Sequence, residues 1–191
     1  MKFNAWMFKY RAVVLLPLAV VLIVFARPIF FSLLIGLTMA FIGEGIRIWG
    51  AGFVGDKSRD IVAQSRELII AGPYRFVRNP LYIANTIMAL GFVIIASGLV
   101  WDWKTWLLLG TVLGGYMFVY GNIVPHEERF LLKEYGDKYE TYLKVVPRWI
   151  PRLSPCNINQ GTYSWRDIRK AEIHTVFLLL FMTVIMAVKI F

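Results

Sequence analysis

Five apolar runs, at about 12–26, 28–49, 81–100, 105–124 and 173–188, decide most of what this chain can become. The third and fourth have the roughly 20 residues that cross a hydrocarbon core, while the first and fifth are short and call for thinning, tilt or snorkelling ends. None alternates with the period of two that a membrane barrel requires, and in lipid the backbone must satisfy its own hydrogen bonds. The expected fold class is therefore all-α: an integral membrane bundle of about five transmembrane helices. Its 191 residues are 58% hydrophobic with mean hydropathy +0.60, more apolar surface than a soluble domain of this size buries.

The formal charge of +9 could suggest a nucleic-acid partner, but the basic residues lie between the apolar runs and form no basic face of a soluble module. We read them as topology and expect no nucleic-acid partner. Lys2, Lys9 and Arg11 precede the first run; Lys57, Arg59, Arg66, Arg75 and Arg78 lie between the second and third. Arg129, Lys133, Lys138, Lys144, Arg148, Arg152, Arg166, Arg169 and Lys170 lie between the fourth and fifth. The opposite side carries only Arg27, Lys104 and Lys189, so the N-terminus and both long loops are expected to be cytoplasmic. The basic, apolar N-terminus resembles a signal peptide, yet "ARP" leads straight into another apolar run, and retention is expected. Cys156 is the single cysteine and there are two histidines, which excludes an internal disulfide and argues against a structural zinc site; no metal is expected.

This topology brings two polar stretches to one membrane face. In "GPYRFVRNPLY", Gly72–Pro73 signals a turn, Asn79 is a candidate N-cap, and Pro80 suits the first helical turn, where its missing N–H leaves no orphan donor. Turn, cap and interface anchors would account for the whole stretch. In "VPHEERF", His126, Glu127 and Glu128 stand where the fourth run leaves the membrane. Beyond them Glu134/Lys138 and Glu140/Lys144 make i,i+4 pairs, and Tyr135, Tyr139 and Tyr142 recur at helical spacing. That segment reads equally as a surface helix or as a lid over a site. Glu44 and Arg47, one turn apart in the second run, are either a functional pair at membrane depth or an i,i+3 ion pair near the interface. Gly110 and Gly114 form a small-xxx-small pair that could pack on a neighbouring helix.

Taken together, "ELIIAGPYRFVRNPLY", the two-helix hairpin after it, "EERFLLKEYGDKYETY" and "VPRWIP" resemble the isoprenylcysteine carboxyl methyltransferases and the related membrane phospholipid methyltransferases. The similarity runs from about 49 to 150, dividing the chain into N-terminal helices (1–48), a methyltransferase-like core (49–150) and a C-terminal linker with an extra helix (151–191). The fifth run then looks like an addition whose removal would leave cofactor affinity nearly intact. The resemblance implies use of S-adenosylmethionine, with S-adenosylhomocysteine as product, in a cytoplasmic pocket without a Rossmann domain; the chain has no strand–GxGxxG–helix unit. It implies a lipophilic acceptor, a lipid, prenylated cysteine or small hydrophobic molecule, entering between helices.

Carried over by position, cofactor contacts fall on Tyr74, Arg78, Asn79, Pro80, Leu81, Tyr82 and Glu127, with Arg66, Glu67, Leu68 and Ile69 and also Arg59 closing around it. Ile123, Tyr139, Tyr142 and Arg148 fall at the substrate side and lid. Glu127 suits the cofactor's ammonium, an arginine its carboxylate, and Tyr74 or Tyr82 the adenine or sulfonium. Where an acceptor must lose a proton, His126 is the candidate general base and Glu128 its alternative. Two positions depart from the family pattern. Asn79 replaces the histidine of R-H-P-x-Y, and Ile123 replaces the arginine that meets a prenylcysteine carboxylate. Competing readings are an NADPH-dependent membrane reductase of the sterol reductase type and a non-enzymatic protein on the same fold.

Overall fold

A computed structural model describes residues 10–55 and 68–190. Lys2, Lys9, Lys57, Arg59, Arg66 and Glu67 lie outside the described residues. The described chain is helical: α1 (Arg11–Phe25), α2 (Phe30–Val54), a 3-10 turn at Gly72–Arg75, α3 (Pro80–Ser97), α4 (Trp103–Tyr135), α5 (Asp137–Val145) and α6 (Trp165–Val188). Among the described residues the one β-type pairing is the isolated bridge between Ile70 and Gln160, and there is no Rossmann unit. Among the described residues four segments are long and apolar enough to cross a membrane: Phe30–Val54, Pro80–Ser97, Trp103–Tyr135 and Ala171–Val188; α1 is a shorter apolar helix.

The tightest seam joins α2 to α3, and small residues make it. A Cβ built on Gly91 would lie 2.5 Å from the Gly36 carbonyl oxygen and 3.1 Å from the Ala40 nitrogen, and one on Gly43 would lie 2.8 Å from the Ala84 carbonyl. Between two helices in lipid, where burial gives no hydrophobic gain, such backbone contact supplies the dispersion energy. The Ser32 hydroxyl lies 3.2 Å from the Ile95 carbonyl across the same seam. Gly110 and Gly114 meet nothing within 4 Å; the glycine of α4 that touches another helix is Gly115, against Leu18. The small-residue seam thus lies one helix pair away from the one the sequence suggested.

α4 does not stop where its apolar run ends. Its 33 residues, about 50 Å at 1.5 Å per residue, outrun a hydrocarbon core of about 30 Å, so its last turns stand clear of it. Pro125 lies inside the helix without ending it, which carries "HEER" on helical geometry into the polar region. There α5 folds back after Gly136, at φ 52°, and with the irregular chain that follows it caps one end of the bundle.

The other end is closed by the few charges it has. Arg27 meets Asp102 at 2.6 Å, and Asp102 accepts the Thr105 N–H at 3.0 Å as the N-cap of α4. The Arg27 hydrogen bond holds the Asp102 carboxyl below its ordinary range. The Lys189 ammonium donates at 2.5 Å to the Ile23 carbonyl, which also accepts the Ala26 N–H at 3.4 Å, and so adds a cation at the C-terminus of α1.

Candidate functional site

The site is assembled where the start of α3 meets the emerging end of α4. Pro80 occupies the first turn of α3 and is buried. Asn79 holds the N-cap position, but its side chain makes no capping bond; its Nδ2 instead donates to the Arg148 carbonyl at 3.1 Å. The expected cap is thus a tie between the loop and the segment after α5. One turn into α3, the Tyr82 hydroxyl donates to Glu127 Oε1 at 2.8 Å, joining the two sequence motifs directly.

A second junction lies beside the first. Glu128 is 9% exposed, and both its oxygens are taken by Arg148, with Arg78 Nε at 3.4 Å from Oε1. The hydrogen bond to Glu128 raises Arg148 above its ordinary value. Two guanidiniums on one carboxylate leave a positive surplus, and Arg78 Nε is buried without a hydrogen-bond acceptor.

Chain 147–160 lies along the loop as a strap. The Arg78 N–H donates to the Pro147 carbonyl at 2.9 Å, Arg152 N–H to Phe76 at 3.0 Å, and Cys156 N–H to Arg75 at 3.0 Å; Ile70 and Gln160 exchange both bonds at 2.7 and 2.9 Å. The Arg75 guanidinium returns to the Cys156 carbonyl at 2.7 Å. Beneath the strap Leu68, Ile70, Tyr139, Tyr142, Val146 and Cys156 form a closed cluster, each at most 5% exposed. Such side chains contribute about 1.5–3 kcal/mol each on full burial. From that cluster the Tyr142 hydroxyl donates to the Tyr74 carbonyl at 2.8 Å. The segment read from the sequence as surface helix or lid is thus packed on the loop through Tyr139 and Tyr142.

Burial is the main cause holding the phenols of Tyr74, Tyr139 and Tyr142 above their ordinary range, with Glu127 adding at Tyr74, Glu128 at Tyr139 and the other phenols at Tyr142. All three therefore stay protonated donors near neutral pH. Leu68 belongs to the cluster beneath the strap, Ile69 packs beside Gly161, and Leu81 lies under Gly50 of α2. Ile123 is fully buried with Val119, Tyr120 and Val124. His126 is half-buried and, one residue from Glu127, projects about 100° away around the helix. Arg59, Arg66 and Glu67 are outside the described residues.

Deeper in the bundle is a polar group that the sequence resolved only in part. Arg47 stands 3.9 Å from Glu44, but its close partner is Glu172 of α6, met at 3.0 Å through Nε and 2.8 Å through Nη2. Its Nη1 donates to Asn85 Oδ1 at 2.5 Å. Glu172 lies 125 positions away, and nothing in the local pattern of α2 announces it. Farther in, Leu18 and Leu22 of α1, Phe92 of α3, Tyr116 of α4, and Thr175 and Met182 of α6 line an apolar cavity of about 90 Å³. It approaches the Tyr82–Glu127 pair through Tyr116, whose ring packs at 5.2 Å on Tyr120.

A helical membrane bundle with one polar, strapped end is the class that fold and site define. Residues 31–138 match the phospholipid methyltransferase family, and the chain belongs to that family. It is 32% identical over 116 residues to protein-S-isoprenylcysteine O-methyltransferase of Schizosaccharomyces pombe, 59% of this chain and 46% of that protein. It is 25% identical over 122 residues to the nickel-cobalt-cadmium resistance protein NccN of Alcaligenes xylosoxydans xylosoxydans, 63% of this chain and 49% of that protein. The cobalt-zinc-cadmium resistance protein CzcN of Cupriavidus metallidurans is 24% identical over 132 residues, 69% of this chain and 52% of that protein. The chain spans about half the length of these curated relatives. No solved structure matches it. Among the described residues no three His, Cys, Asp or Glu side chains stand together as a metal site.

Proposed function

We propose that the protein transfers a methyl group from S-adenosylmethionine to a lipophilic acceptor, at a site on the cytoplasmic face. The observation that carries this reading is the Tyr82–Glu127 hydrogen bond, which joins both family motifs at one lidded end of the bundle. The residues present fit the cofactor's amino-acid moiety. Glu127, oriented by Tyr82, offers a carboxylate to an ammonium, and Arg78, whose buried Nε lacks an acceptor, offers a cation to a carboxylate. When bound, the cofactor supplies an electrophilic methyl on a sulfonium.

The chain's task is then positioning and exclusion of water. Tyr74 and Tyr82 flank the loop as aromatic faces for the adenine or the sulfonium. Glu128 serves as the clasp that holds Arg148 and the strap closed, its oxygens already committed to arginines. His126 is left as the base for an acceptor that must lose a proton. The apolar cavity supports an acceptor with a hydrocarbon portion, and buried Ile123, set among Val119, Tyr120 and Val124, favours an acceptor group other than a carboxylate.

Purified protein titrated with S-adenosylhomocysteine is expected to show saturable thermal stabilisation that Glu127→Gln abolishes. Stabilisation by NADPH instead would move the assignment to a reductase, and absence of both would leave a non-enzymatic bundle. Methyl-labelled donor with membrane lipids then identifies the acceptor atom: base-labile label means a carboxyl ester, stable label means nitrogen, sulfur or a phenolic oxygen.

A further inference from the structure

The buried ion pair between α2 and α6 leads, contact by contact, to the Tyr82–Glu127 pair. The Arg47 guanidinium can only donate, so it fixes the Asn85 amide with its oxygen toward Arg47 and its Nδ2 toward α4. That Nδ2 donates to the Tyr120 hydroxyl at 3.1 Å. The Tyr120 ring packs on the Tyr82 ring with centroids 4.5 Å apart and planes inclined by 44°. The Tyr82 hydroxyl in turn orients Glu127 at 2.8 Å. The series starts at Glu172, whose side chain is 4% exposed and holds Arg47 with both oxygens, helped by Thr175 at 3.3 Å.

Glu44 shows why the far partner matters. It is on the same helix as Arg47, 6% exposed, and both its carboxylate oxygens lack a hydrogen-bond partner. Two carboxylates thus flank one guanidinium, and only the one on α6 engages it in the geometry that also reaches Asn85. Removing the Glu172 charge leaves Arg47 with its neighbour three residues back, a turn that draws Nη1 from Asn85 and frees the amide to reverse. Glu172 lies outside residues 31–138, the span that matches the family.

We propose that Glu172 is a positioning residue for the Tyr82–Glu127 pair, acting through Arg47, Asn85 and Tyr120; this rests on the reading of that pair as the cofactor site. α6 is then a working part of the site, the reverse of what the span's place outside the motifs suggested.

The test measures S-adenosylhomocysteine affinity and thermal midpoint in detergent for the full chain and for Glu172→Gln, Glu172→Asp, Asn85→Leu, the Glu172→Gln/Asn85→Leu double variant and Thr183→Val. Glu172→Gln and Asn85→Leu are each expected to weaken affinity about five- to thirtyfold, the factor that about 1–2 kcal/mol of lost positioning gives. The double variant is expected to be no weaker than the worse single, because both act in one series. Glu172→Asp should recover most of the affinity, and Thr183→Val, which removes only a bond to the Leu179 carbonyl within α6, should stay within about twofold. Midpoints that fall while affinity stays unchanged in both single variants would assign Glu172 to packing alone and overturn the proposal. Multiplicative losses in the double variant would overturn the series. If the unmodified chain shows no binding at all, the cofactor reading itself fails, an outcome distinct from either.

Discussion

Replacing Tyr142 by phenylalanine isolates one bond of the lid. The phenol is 3% exposed and donates to the Tyr74 carbonyl at 2.8 Å, so water cannot replace the lost donor without opening the cluster. A buried carbonyl left unsatisfied costs about 1–3 kcal/mol; because the ring and its packing remain, we take about 1–2 kcal/mol. The cost falls on the docked lid, and the equilibrium for local opening shifts by about five- to thirtyfold. Hydrogen exchange reads this directly. The amides of Arg78, Arg152 and Cys156, which donate between strap and loop, are expected to exchange faster by that factor. Amides in the middle of α3 should not change. Equal protection of the strap amides in the variant and the unmodified chain would refute the assignment of this hydroxyl as a lid tie. The same phenols set an alkaline limit. Burial raises Tyr74, Tyr139 and Tyr142, so the folded state holds their protons more tightly than the unfolded chain. Their contribution is complete below the ordinary phenol value near 10 and is lost as pH rises through the higher folded values. Strap protection, taken relative to the base-catalysed intrinsic exchange rate, should fall only above about pH 10, and less steeply in Tyr142→Phe.

Two further outcomes follow from packing and charge. Gly91→Ala places a methyl 2.5 Å from the Gly36 carbonyl oxygen, where only separation of the helices relieves the clash, and should cost about 1–3 kcal/mol by thermal unfolding. Gly110→Ala, which meets nothing within 4 Å, should be neutral or slightly stabilising; the reverse order would contradict the seam. For orientation, a cysteine introduced at Lys133 is expected to be labelled from the cytoplasmic side and one at Lys104 from the opposite side, with buried Cys156 silent; inverted labelling would reverse the topology.

The helices were legible because lipid demands long apolar runs, and the two motifs were legible because polar residues at membrane edges stand out against such runs. Glu127 and Tyr82 were named from the motifs, and the hydrogen bond between them follows from a hairpin that returns both to one end. Less visible were pairings set by tertiary contact. Asn79 has the residue type of an N-cap, but a carbonyl from position 148 offered its amide a partner. Arg47 had a local partner in Glu44, and only the packing of α6 on α2 shows that Glu172 engages it. The glycine seam was obscured for a similar reason. Gly36, Ala40 and Gly43 matter because Ala84 and Gly91 face them, and a one-helix pattern cannot reveal which small residues face a neighbour.

The strap also sets an order of assembly. A ribosome delivers the loop Gly72–Arg75 and the start of α3 long before residues 147–160, their hydrogen-bonding partners, exist. The α2–α3 seam and the α3–α4 hairpin need only chain already made, so the membrane part packs first, while the loop ends wait unpaired at the bilayer surface. The strap is completed only when Gln160 arrives to pair with Ile70, and the Arg47 ion pair waits longer still, for Glu172 on α6. A chain truncated between 145 and 160 would therefore be a well-inserted bundle with an open mouth.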